Sequence, residues 1–302
     1  MIGVCVVTYN QEQYIGQCIE SAITQVCSEP YVIYIGEDRS TDSTLDICRK
    51  YALEYPNKIK LVENRTNLGL VGNTINLLRI MQADGCDYVA MLDGDDYWID
   101  DYKLEKEVKY LKEHPGYGLV HTQIHLLVDG QLYKNKRKDV IIGNVFGLVG
   151  NKVVIGNCTC MFKIELLNHC NLDDFVTRKL MSVDYVMYYI FSKYTKFGFL
   201  EDFTAVWRRG HESVSNKNQV ERQIAYLQND DRAWKYLSEL FPKDISYDIP
   251  SATNYINYRS FQIAFRAKDW QRANQAITDG FKVPNWRILL KRMYVKLLLC
   301  FQ

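Results

Sequence analysis

The first 98 residues alternate between two hydrophobic periods, and that alternation confines the chain to one class of architecture. Ile2 to Val7 is an apolar, β-branched run, whereas from Glu12 onward Ile15, Cys18, Ile19, Ala22 and Ile23 recur at helical spacing. Tyr31 to Ile35 reads as a second strand, followed by a helix carrying Leu45, Cys48, Tyr51, Ala52 and Tyr55. Ser40-Thr41-Asp42-Ser43 supplies several N-cap candidates for that helix. Ile59 to Val62 is a third strand, Asn67-Leu68-Gly69 a turn, Thr74 to Met81 a third helix and the run from Tyr88 a fourth strand. Strands alternating in this way with helices predict a parallel, doubly wound α/β sheet.

Three of these strands end in polar clusters: Thr8-Tyr9-Asn10, Glu37-Asp38 and Asp93-Gly94-Asp95-Asp96. Strand ends of a parallel sheet share one edge, and ligands of open α/β sheets bind there. The last cluster closes the apolar run Tyr88-Val89-Ala90-Met91-Leu92 and is followed by Tyr97-Trp98. Carboxylates so close repel one another unless a cation sits among them, and hard divalent cations take oxygen ligands. The expectation is a metal at the end of a central strand with a phosphate-bearing substrate on its open face. The same residues also suit a solvated acidic turn. No G-x-G-x-x-G follows the first strand and no G-x-x-x-x-G-K-[ST] occurs, which argues against a dinucleotide fold and a P-loop.

Composition removes other classes. A net charge of +1, with 24% charged residues in 302, offers no basic field for nucleic acid. The nine cysteines are scattered without a C-x-x-C pair, and Cys158 and Cys160 are spaced for neither an easy bridge nor zinc, so they read as reduced thiols in a cytoplasmic protein. The chain opens directly on a strand, without a signal-peptide pattern, and no apolar run reaches the ~18 residues of a membrane span.

Four segments, in order and spacing, resemble the family 2 glycosyltransferases of the GT-A fold: Val6-Val7-Thr8-Tyr9-Asn10-Gln11-Glu12, Gly36-Glu37-Asp38-Arg39-Ser40-Thr41-Asp42-Ser43-Thr44, Asn67-Leu68-Gly69 and Leu92-Asp93-Gly94-Asp95-Asp96-Tyr97-Trp98. The match spans roughly the first 115 residues, with Arg39 standing where the family commonly has glycine. The resemblance implies transfer of a sugar from a nucleotide diphosphate sugar to an acceptor hydroxyl, with inversion at the anomeric carbon. Carried over by position, Asp38 hydrogen-bonds the base, by family default the N3–H of uracil in a UDP-sugar, and Thr8 and Tyr9 line the nucleoside. Asp93 and Asp95 form the D-x-D, Asp93 near ribose or metal and Asp95 on the Mn²⁺ or Mg²⁺ that bridges the diphosphate, while Asp96 lies toward the donor sugar. Arg65 offers a cation for the phosphates, although a solvated loop arginine is the plainer reading.

An inverting transfer also needs a base for the proton of the attacking hydroxyl. Beyond a helix from Lys103 to Tyr110, Gly118 to Val128 reads as a strand turning at Asp129-Gly130, Lys134 to Lys138 as a solvated basic loop, and Val153 to Phe162 as another strand. Met181-Ser182-Val183-Asp184-Tyr185 opens an apolar helix, and the family places its base at this start, which makes Asp184 the candidate; a dipole-favoured acid at a helix N-terminus is the alternative. After a strand-like Phe197 to Trp207, Arg208-Arg209-Gly210-His211 resembles the family's closing loop, with His211 a third metal ligand or a diphosphate contact and either arginine meeting the phosphate.

These readings divide the chain into a GT-A domain over 1–216, with a donor half 1–115 and an acceptor half 116–216, and a helical extension over 217–302. In the extension, Val220 to Phe241 and Ala252 to Phe281 read as amphipathic helices. From Pro284, Trp286, Leu289, Leu290, Met293, Leu297 and Phe301 share one helical face, Arg287, Lys291, Arg292 and Lys296 lie on the rest, and no acid follows Phe281. Such a helix either lies in an anionic membrane interface, placing the protein peripherally on the inner face of the plasma membrane, or docks on the protein. The acceptor expected from the resemblance is a saccharide or polyprenyl-linked saccharide of a bacterial-type surface polysaccharide. Processive synthases are disfavoured because no Q-x-x-R-W stands near Gln228 to Trp234. The competing functions are a sugar-nucleotide nucleotidyltransferase, whose glycine-rich basic loop is missing after Val7, and a catalytically silent nucleotide-sugar binder.

Overall fold

The computed structural model describes residues 1–135, 140–146, 155–181, 183–209, 220–245, 249–282 and 286–300. They fall into two compact units, Met1–His211 and Glu212–Gln302. In the first unit the elements run β1 (Ile2–Thr8), α1 (Ile15–Ile23), β2 (Tyr31–Glu37), α2 (Thr44–Glu54), β3 (Ile59–Glu63), α3 (Gly69–Ala83), β4 (Tyr88–Asp93), β5 (Tyr97–Trp98) and α4 (Lys103–Glu113). They continue with β6 (Tyr117–Val128), β7 (Gln131–Asn135), β8 (Cys160–Lys163), α5 (Leu172–Thr177), α6 (Val183–Tyr194) and β9 (Lys196–Arg209). Among the described residues these strands make one nine-stranded sheet, ordered β3-β2-β1-β4-β8-β6-β9-β5 with β7 on β6.

The expected alternation is present through β4, and β3, β2, β1 and β4 are parallel. Residues 2, 4 and 6 of β1 pack with Ile15, Cys18, Ile19 and Ala22 of α1 in the main core, so the helical spacing read from sequence is the face that is buried. The opposite face meets α3, where Met81 approaches Gly3 and Leu77 approaches Gly36. Between helices on both faces, β1, β2 and β4 are near-continuous apolar runs, as expected of a parallel sheet, while the edge strand β3 carries Lys60 and Glu63.

Beyond β4 the sheet departs from the doubly wound expectation. Next to β4 lies β8, antiparallel, and β6 pairs antiparallel with β8 but parallel with β9. The β6–β7 hairpin turns at Asp129 and Gly130, both at positive φ, as the sequence indicated. The strand expected from Val153 is shorter: Asn157–Thr159 is a single 3₁₀ turn and only Cys160–Lys163 pairs, while 151–154 lie outside the described residues. Lys134, expected in a loop, is in β7. Tyr97-Trp98, not foreseen as a strand, pairs with Val206 and Ala205 of β9. This sinks Trp98 into the core, where its indole N–H donates to the Cys158 carbonyl at 2.9 Å. The helix after β2 is capped from Asp42, whose Oδ1 accepts the Thr44 N–H at 3.0 Å, while the Ser43 side chain makes no cap bond.

The second unit holds α7 (Val220–Leu240), α8 (Ile249–Arg266), α9 (Trp270–Asp279) and α10 (Trp286–Cys300). Phe261, Ala264, Ala273, Ile277, Ile288 and Val295 form a separate core there. Among the described residues no helix is long and apolar enough to cross a membrane.

Candidate active site

The site is organised by the last two carbonyls of β1. The Val7 carbonyl accepts the Gly94 N–H at 3.0 Å and the Thr8 carbonyl accepts the Asp38 N–H at 3.1 Å. Val7 stands in register with Gly36 of β2 on one side and Asp93 of β4 on the other. Asp38 and the acidic turn therefore flank the same strand at the same sheet edge. Two strand spacings, about 10 Å, separate β2 from β4, a span suited to a nucleoside at one end and a diphosphate at the other. Gly94 is required by this packing: a Cβ there would lie 2.4 Å from Gln11 Oε1, 2.9 Å from Thr8 Cβ and 2.9 Å from the Val7 carbonyl oxygen.

On the β2 side Asp38 is buried, and its Oδ1 accepts the Leu68 N–H at 2.7 Å and the Asn64 side-chain amide at 2.9 Å. Asn67, from the turn noted in the sequence, donates to the Asp38 carbonyl at 3.0 Å. Glu37 turns back on its own loop and accepts the N–H groups of Arg39 and Ser40 at 3.2 and 2.8 Å. The turn is left-handed at Arg39, φ 64°. Asn10 ties the loop after β1 to it, accepting the Thr41 N–H at 2.8 Å and donating its own N–H to Ser40 Oγ at 3.0 Å. The Thr8 hydroxyl is spent on Gln11 Oε1 at 2.8 Å, Tyr9 projects 45% exposed at the edge, and Arg65 is exposed after β3.

On the β4 side four acids gather. Burial, then the charges of Asp95 and Asp184, push the Asp93 carboxyl up to about 7, against a 3.0 Å hydrogen bond from the Asn157 side-chain amide. The charge of Asp184, at the start of α6, is thus felt at Asp93, 91 positions earlier in the chain. Burial raises the Asp184 pKa as well, opposed by the N–H groups of Tyr185 and Asp184 at the helix N-terminus. Asp96, expected toward the donor sugar, is buried: its Oδ1 accepts the Arg208 N–H at 2.9 Å and its carboxyl also bonds Cys158, so it anchors β9.

Sequence reasoning missed Asn157 and Tyr188. Tyr188 donates to Asn157 Oδ1 at 2.9 Å and contacts Cys160 Sγ at 2.8 Å, which links Asp93 through Asn157 to α6. One signal was available: Tyr188 is four residues after Asp184 and so on the same helix face. The Arg208 guanidinium lies 5.1 and 4.6 Å from the ring centroids of Tyr14 and Tyr97 and bonds Gln17. Arg209 rests on Trp207 at 4.9 Å. His211 lies outside the described residues.

Among the described residues no three His, Cys, Asp or Glu side chains form a ready-made metal cage. The donor set nevertheless fits a hard cation: two carboxylates two positions apart, the first pushed toward protonation by burial and then by the charges of Asp95 and Asp184. Magnesium-type sites commonly use one or two carboxylates and complete their shell with water and substrate phosphates.

The chain is similar to several known proteins. The putative glycosyltransferase EpsE of Bacillus subtilis is 36% identical over 121 residues, 40% of this chain and 42% of EpsE. Three mycobacterial relatives, uncharacterised, are 38% identical over 109 residues, and the match spans only 31% of their length. Among solved structures, Staphylococcus aureus TarS 1–349 in complex with UDP-GlcNAc superposes with a TM-score of 0.56 at 16% identity, covering 92% of this chain and 80% of that one. The mannosyltransferase PcManGT of Pyrobaculum calidifontis, with GDP-Man and Mn²⁺, gives 0.55 at 18% identity over 98% and 80%. At such identities the likeness is one of fold, and the fold is GT-A. The model of glycosyl transferase family 2 matches residues 3–166, more than half of the chain, and the chain belongs to that family.

Proposed function

We propose that the protein transfers a sugar, with inversion, from a nucleotide diphosphate sugar to an acceptor hydroxyl. The observation that carries this reading is the placing of Asp38 and the Asp93-Gly94-Asp95 turn on either side of the end of β1, with the charge of Asp184 felt at Asp93. Asp38 takes an N–H of the base on its Oδ2, since Oδ1 already holds two protein donors. Uridine is the base favoured by the resemblance and by the UDP-GlcNAc bound to TarS. Thr8 and Tyr9 border the nucleoside, and Arg65 lies within the same edge as an exposed cation.

Asp93 and Asp95 would hold Mn²⁺ or Mg²⁺, and when bound the cation neutralises charge on the departing diphosphate. Asp184 takes the proton of the acceptor hydroxyl. The hydroxyl oxygen then bonds the anomeric carbon from the face opposite the leaving group, and the bond from that carbon to the diphosphate oxygen breaks. A carboxyl raised by burial is a better base at neutral pH than a solvated one. The resemblance supports as acceptor a saccharide or polyprenyl-linked saccharide of a cell-surface polymer, and with it a peripheral position on the inner face of the plasma membrane.

A panel of UDP-, dTDP- and GDP-sugars tested by thermal shift with Mn²⁺ examines the reading. A donor present at 100 times its Kd stabilises the folded state by about 2.7 kcal/mol, and Asp38→Ala is expected to abolish that shift. If no nucleotide sugar moves the transition, the donor assignment is wrong.

A further inference from the structure

The last helix buries one stripe and leaves another, equally apolar, uncovered. Ile288 and Val295 of α10 are 6% and 0% exposed and belong to the core of the second unit. Leu289, Leu290, Met293 and Tyr294 are 48%, 53%, 53% and 50% exposed. At 100° per residue these four fall within an arc of about 140° centred away from Ile288 and Val295. A helix merely docked on a protein would place its charges there. Here the charges lie at the two seams: Lys296 borders Leu289, and Lys291 borders Tyr294, its ammonium 5.0 Å over the Phe265 ring. Arg292 reaches along the docked side to the Phe281 ring at 4.9 Å. From Phe281 to Gln302 the sequence has five basic residues and no acid.

We propose that the Leu289, Leu290, Met293 and Tyr294 face docks into the interface of an anionic phospholipid bilayer, with Lys291 and Lys296 at the headgroup level. Apolar side chains enter the headgroup–acyl boundary while basic stems lie along it with their ammonium groups outward. Charge selects this occupant over a second copy of the chain. A two-fold contact is self-complementary, so pairing α10 with itself would bring the same cations together with no acid between them. The proposal deepens the membrane half of the function given above. It stands apart from the donor and base assignments, because the residues concerned all belong to the helical unit.

Co-sedimentation of the full chain with vesicles of phosphatidylcholine alone, or of equal parts phosphatidylcholine and phosphatidylglycerol, tests it. The wild type is expected to partition onto the anionic vesicles at least tenfold more strongly. Leu290→Glu with Met293→Glu should abolish binding, and Lys291→Gln with Lys296→Gln should weaken it roughly fivefold per cation removed. All four positions are exposed, so unchanged circular dichroism and melting are expected of both variants. Failure of the wild type to bind anionic vesicles, or undiminished binding by the Leu290→Glu/Met293→Glu variant, overturns the proposal. So does a dimer in sedimentation velocity that this variant dissolves without any vesicle binding. Vesicle binding with no thermal shift from any nucleotide sugar would sink the donor reading alone.

Discussion

Asn157 donates its side-chain amide to Asp93 Oδ1 at 3.0 Å across 64 positions of sequence, and Tyr188 donates to the Asn157 side-chain oxygen Oδ1 at 2.9 Å. The chain Tyr188–Asn157–Asp93 fixes the first carboxylate of the D-x-D against the helix that carries Asp184. Asn157→Leu removes the donor to Asp93 and the acceptor for Tyr188, so a loss of about 1–3 kcal/mol in urea unfolding is expected. Tyr188→Phe should cost less, and the two together less than their sum, because they act on one network. Additive losses would show that the chain does not work as a unit.

Gly94 has no space for a methyl group. Its Cβ would meet the Val7 carbonyl oxygen and Thr8 Cβ at 2.9 Å each, and neither atom is the end of a flexible side chain. Gly94→Ala must push the acidic turn off the end of β1. A destabilisation of about 1–3 kcal/mol is expected from overpacking, and turnover should fall about 100-fold for a misplacement near 1 Å. Near-normal turnover with this variant would mean that the Val7–Gly94 contact does not set the geometry of the site.

Arg39 stands at φ 64°. A non-glycine residue in that region carries roughly 1–2 kcal/mol of strain, while glycine costs about 0.4–1 kcal/mol through the unfolded chain. Arg39→Gly is therefore expected to stabilise the protein by about 0.5–1 kcal/mol, and Arg39→Val to destabilise it. Both are read from the urea midpoint at constant m.

The parts of this architecture written in local periodicity were the legible ones. Ile15, Cys18, Ile19 and Ala22 announce their buried face without reference to any partner, and so do the alternating strands through β4. The places of Asp38, Asp93 and Asp95 at or just beyond strand ends were legible because an apolar run that stops at a carboxylate marks the end of a strand. The order beyond β4 was not, since β8 reaches its place through pairings that no spacing encodes. Asn157 sits in a stretch that reads as plain strand, and its partner is 64 residues away. Asp96 looks like Asp95 in sequence; only the pairing of β5 with β9 turns it inward to the Arg208 N–H. In α10 two apolar stripes overlap in sequence, and docking through Ile288 and Val295 leaves the other exposed.

Lys103 and Glu107, one turn apart on α4, are both fully buried and 2.5 Å apart, with the Lys103 ammonium 4.9 Å over the Trp98 ring. Burial pushes the Glu107 carboxyl from 4.5 up to about 7 despite the attraction of Lys103. Because its folded pKa lies above the unfolded one, the native state binds more protons between pH 4.5 and 7. This group's contribution is therefore present below pH 4.5 and lost as pH rises through 7. The slope is at most about 1.4 kcal/mol per pH unit. Urea unfolding of the wild type and of Glu107→Gln across this range isolates it: stability of the wild type relative to the variant should fall with rising pH. A flat difference would remove the titration.

Asp184 opens α6 with its carboxyl raised by burial and its charge felt at Asp93. If it removes the proton of the acceptor hydroxyl, replacing it must slow chemistry and spare donor binding, because Asp38, Asp93 and Asp95 all remain in the chain. Asp184→Asn keeps the shape and one acceptor oxygen at the helix N-terminus but cannot take a proton. A fall in kcat of about 100- to 10,000-fold is expected, the range for general acid–base catalysis, with the thermal shift from nucleotide sugar and Mn²⁺ retained. Loss of that thermal shift would instead place Asp184 in donor or metal binding. Intact turnover would leave it a dipole-favoured acid at a helix start, because a base cannot be dispensable in a reaction whose nucleophile must lose a proton.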